Sequence, residues 1–125
     1  MPSFSELELK VLRWAEARRI IPNSSSHVQA LKLVSEVGEL CDAVIKKDRD
    51  GVIDGLGDVL VVLIILADIE GLNLLSCLES AYNEIKDRRG TLQPNGVFIK
   101  ETVPAKADVR VSLDDATPTQ WDQVR

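Results

Sequence analysis

Apolar residues recur at intervals of three and four along the chain as far as Gly90, the repeat of helices with one buried face. The first such segment carries Leu9, Leu12, Trp14 and Ala15. It is predicted to open at a capping box of Ser5 and Glu8 and to run to about Arg19. Pro22 to Ser25 breaks the pattern as a loop. A second capping box, Ser26 with Gln29, opens a long helix to about Lys47 through Leu31, Val34, Val37, Leu40, Ala43 and Val44. Asp48 is the expected cap of a third helix reaching about Glu70, with Gly71 as its left-handed terminator. Asn73 then caps a fourth, through Leu74, Leu75, Leu78, Ala81, Tyr82 and Ile85, which closes at Gly90. Gln93-Pro94-Asn95-Gly96 is a turn, and Val97-Phe98-Ile99 a short strand or extended arm. The fold class is therefore all-α, a four-helix-bundle-like unit over 1–102 with a short extended C-terminal arm. The segment 103–125, which carries Trp121, is expected to be a poorly ordered tail or one that docks on a partner subunit.

Val59 to Ala67 is apolar on every side, nine residues in a row, too short to span a bilayer. A helix apolar all round must be covered all round. Three remaining helices cover it poorly, so this stretch is expected at the centre of a homodimer or homotetramer interface. A net charge of −5 over 125 residues argues against a nucleic-acid surface, which selects clustered Lys and Arg. MPSFSELELK shows no basic region followed by an apolar core, and the expectation is a soluble, cytoplasmic protein without membrane partners. Cys41 and Cys77 lie inside apolar patterns and are expected to be buried, reduced thiols.

Four acids interrupt the apolar runs: Glu36 and Glu39 in LVSEVGELCDAV, Asp54 and Asp58 in VIDGLGDVLVVLIILA. Spacings of three and four put each pair on one helical face. If the two helices pack antiparallel, four carboxylates share a pocket. Unpaired they would repel one another, and a hard divalent cation removes that penalty. Magnesium takes carboxylates together with substrate phosphates, so the natural partner is a nucleoside polyphosphate. Lys32, one turn before Glu36, borders the same face; Asn83 and Lys86 share a face of the fourth helix, and Arg88, Arg89 and Lys100 lie beyond. Trp14 belongs to the core or to the wall of a base pocket. His27, the only histidine, stands at a helix start and is expected to face solvent, which leaves a carboxylate, Glu36 or Glu39, to orient the attacking water. Gly51, Gly55 and Gly57 lack the Lys-Ser/Thr ending of a phosphate loop and suggest close helix approach or substrate access.

These residues resemble the MazG-like, all-α nucleoside triphosphate pyrophosphohydrolases, whose pattern is E-x-x-E on one helix and E-x-x-D on the next. The resemblance runs from Trp14-Ala15-Glu16-Ala17-Arg18 to Lys100. It includes Lys32 to Leu40, Gly57 to Leu63, Tyr82 to Gly90 and Asn95 to Glu101. It implies Mg2+, with Mn2+ as a substitute, held by Glu36, Glu39 and Asp58, and substrate binding by Lys32, Asn83, Lys86, Arg89 and Trp14. The reaction it implies converts a (deoxy)nucleoside triphosphate to monophosphate and pyrophosphate, clearing the nucleotide pool. Two departures stand out. Ser35 precedes the first acid where the family often has Glu, and the Glu of E-x-x-D falls on Gly55. Asp54 is the substitute ligand, displaced by one residue's rotation. That gap keeps an alternative open: a non-catalytic helical oligomer that binds nucleotide or metal in a regulatory role.

Overall fold

The computed structural model describes residues 1–102, and the expectations for the 103–125 tail and Trp121 fall outside them. The described chain carries α1 (Phe4–Ala17), a short α2 (Ile20–Asn23), α3 (Ser26–Ile45), α4 (Arg49–Ile69) and α5 (Leu74–Ile85), then β1 (Gly90–Leu92) and β2 (Phe98–Lys100). The four long helices are those the periodicity predicts. One compact unit spans Met1–Asn83 and a second begins at Glu84.

In the first unit α4 is the central helix, packed against α3 along its length and against α1 and α2. Its apolar stretch buries Val62, Ile64, Ile65 and Ala67, with Ala15 of α1 and Ala43 of α3 beside them in the core. The protomer's own helices cover part of the Val59–Ala67 stretch, while Leu60 within it remains 44% exposed. Other large apolar residues left outside lie on α3 and the first half of α4, among them Leu31, Val34, Ile45 and Leu56, on α5 at Leu78 and Tyr82, and on α1 at Leu7 and Leu9. Cys41 and Cys77 are exposed, not buried, because each stands on one of these uncovered faces. Among the described residues, no helix is long and apolar enough to cross a membrane.

Caps decide where the helices begin, and two differ from expectation. Ser3 rather than Ser5 caps α1, its hydroxyl accepting from the amide of Glu6 at 3.2 Å. That releases Glu8 into the interior, where its Oε1 accepts from the side-chain amide of Asn73 at 2.9 Å. Ser25 rather than Ser26 caps α3, accepting from Val28 N at 3.2 Å. Gln29 is buried and donates to Ser24 Oγ, while Ser26 reaches Glu70 across the unit. Asp48 and Asn73 cap α4 and α5 as expected, accepting from Gly51 N at 3.1 Å and Ser76 N at 3.0 Å. The short α2 is broken at Ile21, whose backbone is not helical (φ −101, ψ 124), in keeping with the expected interruption at Pro22; α1 stops at Ala17, and α5 ends at Ile85, before the expected Gly90. Gly71, at φ 74, takes the left-handed conformation that ends α4.

In the second unit β1 and β2 pair antiparallel, Gly90 opposite Lys100 and Leu92 opposite Phe98. The predicted turn joins them, with Gln93 N donating to Val97 O at 2.8 Å and Gly96 N to Gln93 O at 2.9 Å. The extended arm is thus a hairpin.

Candidate functional site

The hairpin of α3 and α4 brings three of the four acids, Glu39, Asp54 and Asp58, onto the wall of one cavity, with Glu36 outside its lining. A Cβ on Gly51 would stand 3.0 Å from Ala43 Cβ, and one on Gly55 3.0 Å from Leu40 Cβ. Numbers fall along α3 as they rise along α4, so the helices run antiparallel and Glu39 faces the turn of α4 holding Gly55 and Asp58. The groove between them is a cavity of about 360 Å³ whose lining includes Glu39, Asp42, Lys46, Asp54 and Asp58.

The acids divide by environment. Glu36 is buried, 8% exposed, with Oε1 paired to Lys32 Nζ at 3.1 Å and Oε2 buried without any hydrogen-bond partner. A buried carboxylate oxygen left unmatched is costly unless something else meets it. Glu39, Asp54 and Asp58 are exposed, and none has an ion-pair partner among the described residues. Asp48, also on the cavity wall, has its Oδ1 committed to the cap of α4. Asp42 holds Lys46 at 2.9 Å, and the hydrogen bond and charge of Asp42 raise the pKa of that ammonium.

As the side chains stand, no three Asp, Glu, His or Cys groups among the described residues are gathered tightly enough to hold one ion. In chemistry they nevertheless fit a hard divalent cation. The donors are all oxygen, three of them lack partners around one open cavity, and the Oε2 of Glu36 on the same helix lacks one as well.

Asp58 also borders a second, mainly apolar cleft of about 390 Å³ between α1 and α4, lined by Leu7, Lys10, Val11, Trp14 and Val61. Trp14 is 45% exposed, and the Arg18 guanidinium lies 5.1 Å from its ring centre. The core reading of Trp14 is corrected; its indole is a wall of this cleft. His27 is exposed at the start of α3, as expected. Asn83 closes the first unit on exposed α5, and Lys86 and Arg89 belong to the second. Asp42 is the lining acid that sequence reasoning passed over; its signal is the continuation of the three-residue spacing, Glu36, Glu39, Asp42.

Residues 25–92 match the family described as the MazG nucleotide pyrophosphohydrolase domain. An uncharacterized 18.2 kDa protein from the rep-hol intergenic region of Haemophilus phage HP1 is 39% identical over 67 residues, 54% of this chain and 41% of that protein. The chain thus spans about two fifths of the length of this curated relative. The fold is similar to that of the cyanophage S-2L MazG-like pyrophosphohydrolase, solved with dGDP and three catalytic Mn2+ ions per active site. The TM-score is 0.59 at 22% identity, over 82% of this chain and 100% of that one.

Proposed function

Because the chain belongs to the MazG nucleotide pyrophosphohydrolase domain family, we propose that it hydrolyses a (deoxy)nucleoside triphosphate to the monophosphate and pyrophosphate, using Mg2+ or Mn2+. The observation that carries this reading is the set of three partnerless carboxylates, Glu39, Asp54 and Asp58, around one cavity. Glu36 joins them as the fourth ligand, through its buried Oε2, which has no hydrogen-bond partner among the described residues. When bound, a divalent cation would offset the charge gathering on the phosphate oxygens as the bond to the leaving pyrophosphate breaks. Glu36 or Glu39 orients a water toward the α-phosphorus and takes its proton as the new P–O bond forms. The dGDP and Mn2+ in the cyanophage protein support this ligand class.

The cleft beside Asp58 suits a nucleobase, with Trp14 offering a ring face to stack on. Lys32, already at 3.1 Å from Glu36, places a cation at the buried end of the acid set, suited to a phosphate. Asn83, Lys86 and Arg89 are further phosphate partners on the strength of the resemblance. The exposed apolar residues of α3 and α4 support assembly into a homodimer or homotetramer. A role in clearing nucleotides from the pool, in the cytoplasm, completes the proposal.

A second reading, a regulatory oligomer that binds nucleotide or metal without turnover, is favoured by one observation. Gly55 supplies no oxygen, and the remaining acids do not converge unaided. Pyrophosphate release from a panel of canonical, deoxy and modified triphosphates separates the two. Release by the wild type that is lost in Glu36→Gln supports hydrolysis, whereas binding without release by a folded protein transfers the case to the regulatory reading.

A further inference from the structure

We infer that Asp42 is a further ligand of the divalent cation in this cavity, standing in, with Asp54, for the side chain absent at Gly55. The inference rests on the cation site proposed above and goes beyond it in naming a carboxylate outside the E-x-x-E and E-x-x-D positions.

Gly55 is not a ligand position awaiting an acid. A Cβ there would lie 3.0 Å from both Cβ and Cδ1 of Leu40 and 3.1 Å from its Cα. The last of these is backbone, which moves only if α3 moves. Position 55 is therefore a point of contact between two helices, and the oxygen missing from it must come from elsewhere on the wall.

Asp42 is the available source. It lies three residues beyond Glu39, so the two are neighbours on the surface of α3 and line the same cavity. The antiparallel register, Ala43 against Gly51 and Leu40 against Gly55, sets Asp42 beside the part of α4 that carries Asp54. Both line the same cavity. Of the other wall acids, Asp48 is occupied as a helix cap. Asp42 Oδ2 is held by Lys46, and its Oδ1 has no partner among the described residues.

Lys46 does not disqualify it. Both members of the pair are more than half exposed, and exposed ion pairs contribute little to stability. A divalent cation thus exchanges for the ammonium at small cost. The ammonium is the monovalent occupant of a place suited to a doubly charged one.

The test measures Mn2+ binding to the full chain without nucleotide, by calorimetry and by the loss of the free-ion paramagnetic resonance signal. Wild type is compared with Asp42→Asn, with Asp68→Asn as an exposed acid of α4 outside the cavity, and with Asp42→Asn combined with Lys46→Gln. Circular dichroism confirms folding. The expected result is a dissociation constant raised at least about tenfold by Asp42→Asn and left nearly unchanged by Asp68→Asn, with the double variant still weak. Equal effects of Asp42→Asn and Asp68→Asn would overturn the inference while leaving the cation site standing. Recovery of wild-type affinity in the double variant would also overturn it, since Asp42 would then act only by restraining Lys46. No Mn2+ uptake by the wild type would remove the underlying site, and this inference with it.

Discussion

The side-chain amide of Asn73 donates to Oε1 of Glu8 at 2.9 Å, joining the start of α5 to a buried acid of α1 across 65 positions of sequence. The same Asn73 caps α5 through its Oδ1, so one residue satisfies both ends of the connection.

Asn73→Ala removes the cap, worth about 1 kcal/mol, and leaves the Glu8 carboxylate buried without a donor, worth about 1–3 kcal/mol more. We expect a total loss of about 2–4 kcal/mol in urea denaturation. Asn73→Ser, which can keep the cap but not the reach to Glu8, falls between. Equal stability of Asn73→Ala and wild type would mean that the contact contributes nothing to folding.

Gly55 and Gly38 form a matched pair of tests. Alanine gains about 1 kcal/mol over glycine inside a helix, and at Gly38 its Cβ meets nothing within 4 Å. Gly38→Ala should therefore stabilise by up to about 1 kcal/mol. At Gly55 the same methyl presses on Leu40, and overpacking of about 1–3 kcal/mol outweighs the gain. Thermal unfolding of both variants should move the midpoint in opposite directions.

The helices were legible because their apolar residues repeat at three and four and because Asp48 and Asn73 stand directly before two of those repeats as capping residues. Where serines cluster, at Ser3 and Ser5 and at Ser24 to Ser26, the code is degenerate, and long-range partners chose the register. Glu70 draws Ser26 into the helix, and Asn73 draws Glu8 inward. The acid pairs were legible from spacing. Close helix approach was legible from the glycines and holds at Gly51 and Gly55, where a Cβ would meet Ala43 and Leu40, but not at Gly57, where it would meet nothing within 4 Å. That Val62, Ile64 and Ile65 are buried while Leu60 stays exposed is a property of three-dimensional packing, invisible to periodicity.

If Trp14 stacks on the base as proposed, it reports on substrate. In a Trp121→Phe background, nucleotide binding should change Trp14 fluorescence. Trp14→Ala should raise KM about tenfold, in keeping with a stacking contribution of about 1–3 kcal/mol per base, with little change in kcat. An unchanged KM would move the base elsewhere.

The uncovered face of α3 predicts the consequence of a charge placed on it. Ile45 is 79% exposed beside Val44 and Leu56, and burial of such a side chain contributes about 1.5–3 kcal/mol. Ile45→Asp should shift the assembly toward monomer in light scattering after size exclusion. The same mass for variant and wild type would exclude this face from assembly.

The joint between α3 and α4 has a consequence for how this protein tolerates change in length. Lys47 sits in the left-handed region at φ 58, Asp48 caps the next helix, and Gly51 leaves the space that Asp48 Oδ2 and Ala43 occupy, since a Cβ there would come within 2.6 Å of that oxygen. Each residue added to a helix rotates the downstream side chains by about 100°. One amino acid inserted or removed here would swing Asp54 and Asp58 away from Glu39 while leaving every acid in the chain. The joint works as a gauge, and an insertion scan should find it far less forgiving than the tip of the β-hairpin at Asn95 and Gly96.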